Sequence, residues 1–301
     1  MKKYYYDLHI HSCLSPCGDD EMTPNNICGM AHLAGLEVIA VTDHNAAANL
    51  PAVKKVADAF GIMLIPGIEM CTAEDIHLLC YFETVEKCLE FEKVVLDSLP
   101  PIKNKKAIYG NQFIRDENDE IIGEYEPLLI IGSSYSLWDA VNLCHEMDGV
   151  AVYAHIDKNS FSALSVLGML PPEINIDGVE IYDLANRPKL IAQGLITAET
   201  PFMSNSDAHY LEYIGEREEH LSKDHPLADK RVLNLSDLLA YPQITHSDRY
   251  FLPNQKLGEE RSRVYTVDRQ GQLTLLKNLH GSYMWSAPVP KELLEEWDVV
   301  Q

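Results

Sequence analysis

The feature that most restricts the fold is a recurrence of short apolar runs separated by helix-like segments. The runs fall at 4–10, 38–42, 62–66, 76–82, 150–155, 178–182 and 201–205. Helical segments are expected at 24–34, 49–60, 83–99, 136–147, around 161–170 and at 189–197. Thr23 is a fair N-cap, followed by Pro24 at the first helical position. Gly61 closes the second helix and Ser136 opens a later one. Seven apolar strands alternating with helices predict an α/β fold, a parallel barrel.

The polar residues follow the same rhythm. The first strand ends in Asp7-Leu8-His9-Ile10-His11-Ser12. Residues two apart on a strand share a face, so His9 and His11 present two imidazoles side by side. Such a pair can hold a divalent metal at about 2.0–2.1 Å per nitrogen. His44, Glu69, His155, Asp207 and His209 also lie at or just after the C-terminal ends of apolar runs. Barrels of this kind carry their active sites at that face. His77 fits less tidily, near the start of its run, and Asp19 belongs to the first loop. Six of the 12 histidines take part in the pattern. Single histidines are commonplace in cores and on surfaces; their joint recurrence at strand ends is what points to metal.

Imidazoles and carboxylates with no thiolate suit Zn, Mn or Fe. His9, His11, Asp19, His44, Glu69, His77, His155, Asp207 and His209 are too many ligands for one ion, and fit two or three. Glu69 is the expected bridging carboxylate. Such a cluster lowers the pKa of bound water towards about 7 and clamps the oxygens of an in-line displacement, the chemistry of phosphate-ester hydrolysis.

Composition narrows the partners. The 301 residues carry 46 acidic and 24 basic side chains, for a formal net charge of −22. That surface repels a phosphate backbone, so no extended nucleic-acid or anionic-membrane footprint is expected. A small phosphorylated substrate remains compatible, because bound metal can dominate the local field. Seven scattered cysteines argue against a secreted disulfide framework. Cys13 and Cys17 are close enough to suggest a metal clip, but no second pair follows, and packed or loop thiols are expected. The N-terminus opens directly into a strand and no run is long enough to span a bilayer, so a cytoplasmic protein is expected.

The rhythm breaks between about 100 and 132, which reads as an insertion, either a hairpin or a lid. The expected organisation is a barrel domain over 1–215 containing that insertion, then a C-terminal extension over 216–301. In the extension, 263–267 reads as a late strand. His32, His145, His220, His225, His246 and His280 sit at no strand end and are set aside. The acidic run 116–120 lacks the spacing and glycine of a calcium loop.

As a set, Asp7-Leu8-His9-Ile10-His11-Ser12, Thr42-Asp43-His44, Gly67-Ile68-Glu69, His155 and Ser206-Asp207-Ala208-His209 resemble the successive motifs of the PHP (polymerase and histidinol phosphatase) superfamily. The resemblance covers about residues 4–215 without the insertion. It implies a distorted (β/α)7 barrel, a trinuclear metal cluster and phosphoesterase activity. His9 and His11 match the opening pair, His44 the T-D-H histidine and Glu69 the bridging acid. His77 and His155 match the intermediate histidines, and Asp207 and His209 the closing pair. The family's loop aspartate matches Asp19 better than Asp20, in a loop longer than usual. Where small-molecule members have His-Pro and then Arg, this chain reads His155-Ile156-Asp157-Lys158. Lys158 or Arg187 could then hold the substrate phosphate, or either could be a solvated surface cation. Asp43 could orient a ligand, shuttle a proton or serve as a structural carboxylate.

The expected function is hydrolysis of a small phosphorylated molecule, of nucleotide, sugar or histidinol phosphate type, by a metal-bridged hydroxide. No nucleophile motif of the Gly-x-Ser-x-Gly kind competes. The alternatives are a nuclease acting on short oligonucleotides or DNA ends, and a metal-binding module without turnover.

Overall fold

The computed structural model describes residues 5–215 and the backbone of 263–267 and 273–277. The first strand, β1 (Tyr6–Ile10), pairs in parallel with β2 (Val38–Val41), and β2 with β3 (Met63–Leu64). The ladder slips between Asp7 and Ile10. Leu8 therefore joins a different apolar cluster from Ile10, against simple alternation.

A second sheet runs β10-β9-β8-β5-β4. Its members are β4 (Gly67–Cys71), β5 (His77–Tyr81), β8 (Val150–Tyr153), β9 (Gly178–Glu180) and β10 (Phe202–Met203). The all-parallel expectation fails here, because β5 is antiparallel to both β4 and β8. The strand expected over 62–66 is shortened at Pro66, and the chain restarts at Gly67 as a separate strand. Proline cannot donate to a ladder, which explains the break. A Cβ at Gly67 would lie 2.9 Å from both Thr42 Cγ2 and Tyr81 Cδ1. Glycine thus lets β4 press against β2 and β5, which brings Glu69 beside His44.

The described strands do not close into a continuously bonded barrel. Isolated parallel bridges, Ile10 to Ala208 and His44 to Glu69, link the two sheets instead. An apolar cluster of Tyr6, Leu8, Val38, Ala40, Leu79, Tyr81, Val152 and Met203 is shared by both sheets. The larger core lies between strands and helices. It receives the buried faces of α1 (Pro24–Leu33), α2 (Leu50–Phe60), α3 (Val85–Asp97) and α5 (Leu137–Glu146).

The caps follow local chemistry. Thr23 accepts from the Asn26 amide, with Pro24 opening α1. Gly61 ends α2 at φ 67°, in the left-handed region glycine favours. Ser136 accepts from the Asp139 amide. The helix expected at 189–197 is shorter and earlier, α7 (Arg187–Ala192), and α6 spans Ala163–Leu167.

The 100–132 segment contains a single turn, α4 (Lys106–Tyr109), and the hairpin β6 (Phe113–Arg115) with β7 (Ile121–Glu124). It is fastened to the first loop: the Phe113 amide donates to Cys13 O at 3.0 Å, and Thr23 Oγ1 to Asp119 at 2.8 Å. β11 (Arg263–Val267) forms as expected and pairs antiparallel with β12 (Leu273–Lys277). The rest of the extension, with His220, His225, His246 and His280, lies outside the described residues. Among the described residues no helix is long and apolar enough to cross a membrane.

Candidate metal centre

Strand ends bring eight of the nine candidate ligands to one place. Glu69 is the hub, 1% exposed. Its Oε1 lies 2.9 Å from His77 Nδ1, 3.2 Å from His155 Nε2 and 3.3 Å from His9 Nε2. Its Oε2 lies 2.9 Å from His44 Nδ1 and 3.3 Å from His11 Nε2. Asp207 Oδ1 lies 3.1 Å from His11 Nε2 and 3.3 Å from His9 Nε2. The two Nε2 atoms are themselves 3.2 Å apart. The His209 ring stacks on His11 with centroids 4.2 Å apart.

These separations test whether metal fits. A tetrahedral ion bound at about 2.0–2.1 Å sets its ligands about 3.3 Å apart. Five separations among His9, His11, Glu69 and Asp207 are 3.1–3.3 Å, with Glu69 facing His9 through Oε1 and His11 through Oε2. Glu69 Oε2 is buried and receives no directed hydrogen bond from the described residues. Three donor groups emerge: His9, His11 and Glu69; Glu69, His77 and His155; and His11, His44 and His209. Glu69 belongs to two of them, as a bridging carboxylate would. Imidazole and carboxylate donors of this kind suit Zn, Mn or Fe.

Asp19 Oδ1 accepts the Glu21 amide at 2.9 Å, and neither Asp19 nor Asp207 is part of the three groups above. Its backbone does reach the site, the Asp19 amide donating to His209 O at 2.9 Å. Arg187 is elsewhere, its guanidinium on Phe202 and donating to Ala198 O at 2.8 Å. Lys158 stands at the rim, 2.5 Å from Asp207 Oδ2 and 4.1 Å above the Tyr182 ring.

A second layer fixes the tautomers. The His9 Nδ1–H donates to Glu180, at 3.0 Å from Oε2, leaving Nε2 free to bind. Glu180 is held in turn by Asn205 Nδ2 at 2.7 Å and the His155 amide at 2.8 Å. The Ser15 hydroxyl donates to Asp43 Oδ1 at 2.6 Å, and accepts the His44 amide at 3.1 Å and His11 Nδ1–H at 3.0 Å. Asp43 also accepts from the Ser12 amide and hydroxyl at 2.7 and 2.6 Å. Asp43 is thus a buried hub behind two histidines. Two residues of the cluster carry positive φ without being glycine, His155 at 25° and Asp207 at 53°. Strain of this kind persists only where surrounding contacts enforce it.

The electrostatics follow from burial against mutual charge. Burial would raise the Glu69 carboxyl, but His77, His9 and His44 hold it well below the carboxylate range. Burial would lower His9, but Glu180, Asp207 and Glu69 raise it well above its ordinary value. His77 is likewise overridden, chiefly by Glu69, and raised to about 10.

One thiol, Cys71, joins a donor group, against the expectation of none, and a second, Cys17, is shifted by the same histidines. Cys71 Sγ lies 3.8 Å from His44 Nδ1, and His44, Cys71 and His77 form a fourth donor group, all buried. Burial pushes the Cys71 thiol up, but His77 and His44 bring it down to about 7. Cys17 lies in the first loop, exposed at its surface. Desolvation of its sulfur is outweighed by the neighbouring His44, His209 and His11 imidazoles, and the thiol falls to about 5. Glu180, Ser15 and Cys71 escaped sequence reading. The usable signal was strand parity: Cys71 is two residues beyond Glu69, and Glu180 is an acid inside an apolar run.

Residues 7–168, more than half the chain, match the PHP domain family. Over 98 residues the chain is 35% identical to an uncharacterized protein of Methanocaldococcus jannaschii, covering 30% of this chain and 57% of that protein. Over 112 residues it is 30% identical to a 5'-3' exoribonuclease of Haemophilus influenzae, covering 34% of this chain and 37% of that one. The chain thus matches less than two thirds of the length of either curated relative. A solved structure of a candidate metal-dependent phosphoesterase from Bifidobacterium adolescentis shares the fold, with a TM-score of 0.50 at 17% identity, over 73% of this chain and 92% of that one. The matched segment carries His9, His11, His44, Glu69, His77 and His155, and by it the chain belongs to the PHP domain family.

Proposed function

We propose that this cluster holds two or three divalent ions, Zn, Mn or Fe, and hydrolyses phosphate esters. The observation that carries the reading is the five separations of 3.1–3.3 Å that His9 and His11 make with each other, with the two Glu69 oxygens and with Asp207, Glu69 being shared by a second group. Divalent ions in such a site lower the pKa of water towards about 7 and neutralise phosphoryl oxygens. The protein's own share is positioning. His9, His11, Asp207 and Glu69 would hold one position, Glu69, His77 and His155 a second, and His44 with His209 a third. Glu180 orients His9, and Asp43 orients His11 and His44 through Ser15. Asp43 is a positioning group in this reading rather than a proton shuttle. Lys158, partly exposed beside Asp207, takes the substrate phosphate. A formal charge of −22 repels a phosphate polymer, which favours a small phosphorylated molecule.

A second reading is exonucleolytic attack on a short oligonucleotide. The match to the Haemophilus influenzae exoribonuclease favours it. So does Phe161, 48% exposed and stacked on His77 with centroids 4.8 Å apart. An exposed ring there offers a base somewhere to stack. The test is release of phosphate or nucleotide from nucleoside monophosphates, 3',5'-bisphosphates, sugar phosphates, histidinol phosphate and a 5'-phosphorylated oligoribonucleotide, with metal content measured. Turnover of a monoester class supports the first reading, and turnover of the oligonucleotide alone supports the second. No turnover at full metal loading overturns both and leaves a binding module.

A further inference from the structure

Cys71 is in a position that the cluster described so far does not use. Glu69 and Cys71 are two apart on β4, so their side chains leave the same face. In the antiparallel ladder Cys71 is the direct partner of His77 on β5. Across the seam, His44 Nδ1 lies 3.8 Å from Cys71 Sγ. Donor atoms of His44, Cys71 and His77 all fall within 4.8 Å of one another, and all three residues are buried. The other buried thiols have different surroundings. Cys28 faces Val53 O, and Cys80 faces Leu78 O, on the apolar side.

We propose that Cys71 is a metal-binding thiolate, which adds a sulfur donor beside His44 and His77 at the edge of the cluster. The inference rests on the metal-cluster reading above. A thiolate is a soft donor that favours Zn²⁺, Co²⁺ or Fe²⁺ over Mn²⁺ and Mg²⁺. Binding needs only loss of the thiol proton to solvent as the metal–sulfur bond forms. The consequence is a cluster that discriminates among metals at one position while Glu69 bridges the others.

The test is titration of Co²⁺ into the metal-stripped full-length protein, read by absorption spectroscopy. Wild type and Cys17→Ser are expected to show near-ultraviolet sulfur-to-cobalt charge transfer together with visible ligand-field bands. Cys71→Ser is expected to lose the charge-transfer band and keep the visible bands, which also report that the imidazole cluster remains folded. Zn²⁺ preference over Mn²⁺ is expected to narrow in the same variant. Charge transfer that survives Cys71→Ser, or disappears in Cys17→Ser, overturns the assignment. So do visible bands without charge transfer in wild type, and that result leaves the cluster standing. Absence of all cobalt bands in wild type overturns the cluster and the thiolate together.

Discussion

Glu180 accepts the Nδ1–H of His9 at 3.0 Å, with both side chains fully buried. That bond fixes the tautomer exposing Nε2, the atom nearest Glu69 and Asp207. Outer partners of metal-bound histidines typically contribute about 10–100-fold in metal affinity. Glu180→Gln is therefore expected to weaken metal binding by about 10–100-fold, measured by competition with a chromophoric chelator. Unchanged affinity would remove Glu180 from the account.

Ser15 serves three partners through one hydroxyl: Asp43, the His44 amide and His11. Ser15→Ala leaves the His44 amide and His11 Nδ1–H without that acceptor in a buried setting. The expected cost is about 1–3 kcal/mol of stability, read by denaturant unfolding of the metal-free protein. A variant as stable as wild type would show that these groups find other partners.

Lys158 is expected to contribute through substrate rather than metal. Removing a charge-assisted contact costs about 1.5–3 kcal/mol. Lys158→Ala should accordingly raise KM for a phosphomonoester by about ten- to a hundredfold with metal content unchanged. Loss of metal with the side chain would instead make Lys158 a holder of Asp207, its partner at 2.5 Å.

Metal-free and metal-loaded protein should respond oppositely to pH. In the metal-free chain His77 is raised from 6.5 to about 10, so its stabilising contribution is complete below 6.5 and lost as pH rises through about 10. Glu69 is depressed, so its contribution is present above 4.5 and lost on acidification. Metal requires neutral imidazoles and displaces those protons. The gain in Tm on metal addition should thus grow between pH 6.5 and about 10. A constant gain over that range would contradict this.

Most of the candidate centre was legible because it obeys strand parity and strand ends. His9 and His11 share a face, and His155, Asp207 and His209 follow apolar runs. The rest depends on register, which the pattern does not carry. Gly67–Cys71 reads as a strand end because Pro66 precedes it. Only its antiparallel pairing with His77–Tyr81 places Cys71 opposite His77. Once β5 reverses direction, His77 at its start lies at the same place as residues at the ends of parallel strands. That reversal reconciles its untidy position with the cluster, and replaces the all-parallel barrel with a mixed sheet. Asp19 was chosen by its place in the loop, where its Oδ1 accepts the Glu21 amide, a contact within the turn that sequence spacing does not show.

In the proposed cluster Glu69 joins two metal positions. The most direct test is elemental analysis of bound metal in wild type and Glu69→Gln, with phosphate release measured on the same samples. At least two ions per wild-type chain are expected, with loss of at least one in the variant and loss of turnover with it. The same metal content in both proteins with turnover retained would contradict it.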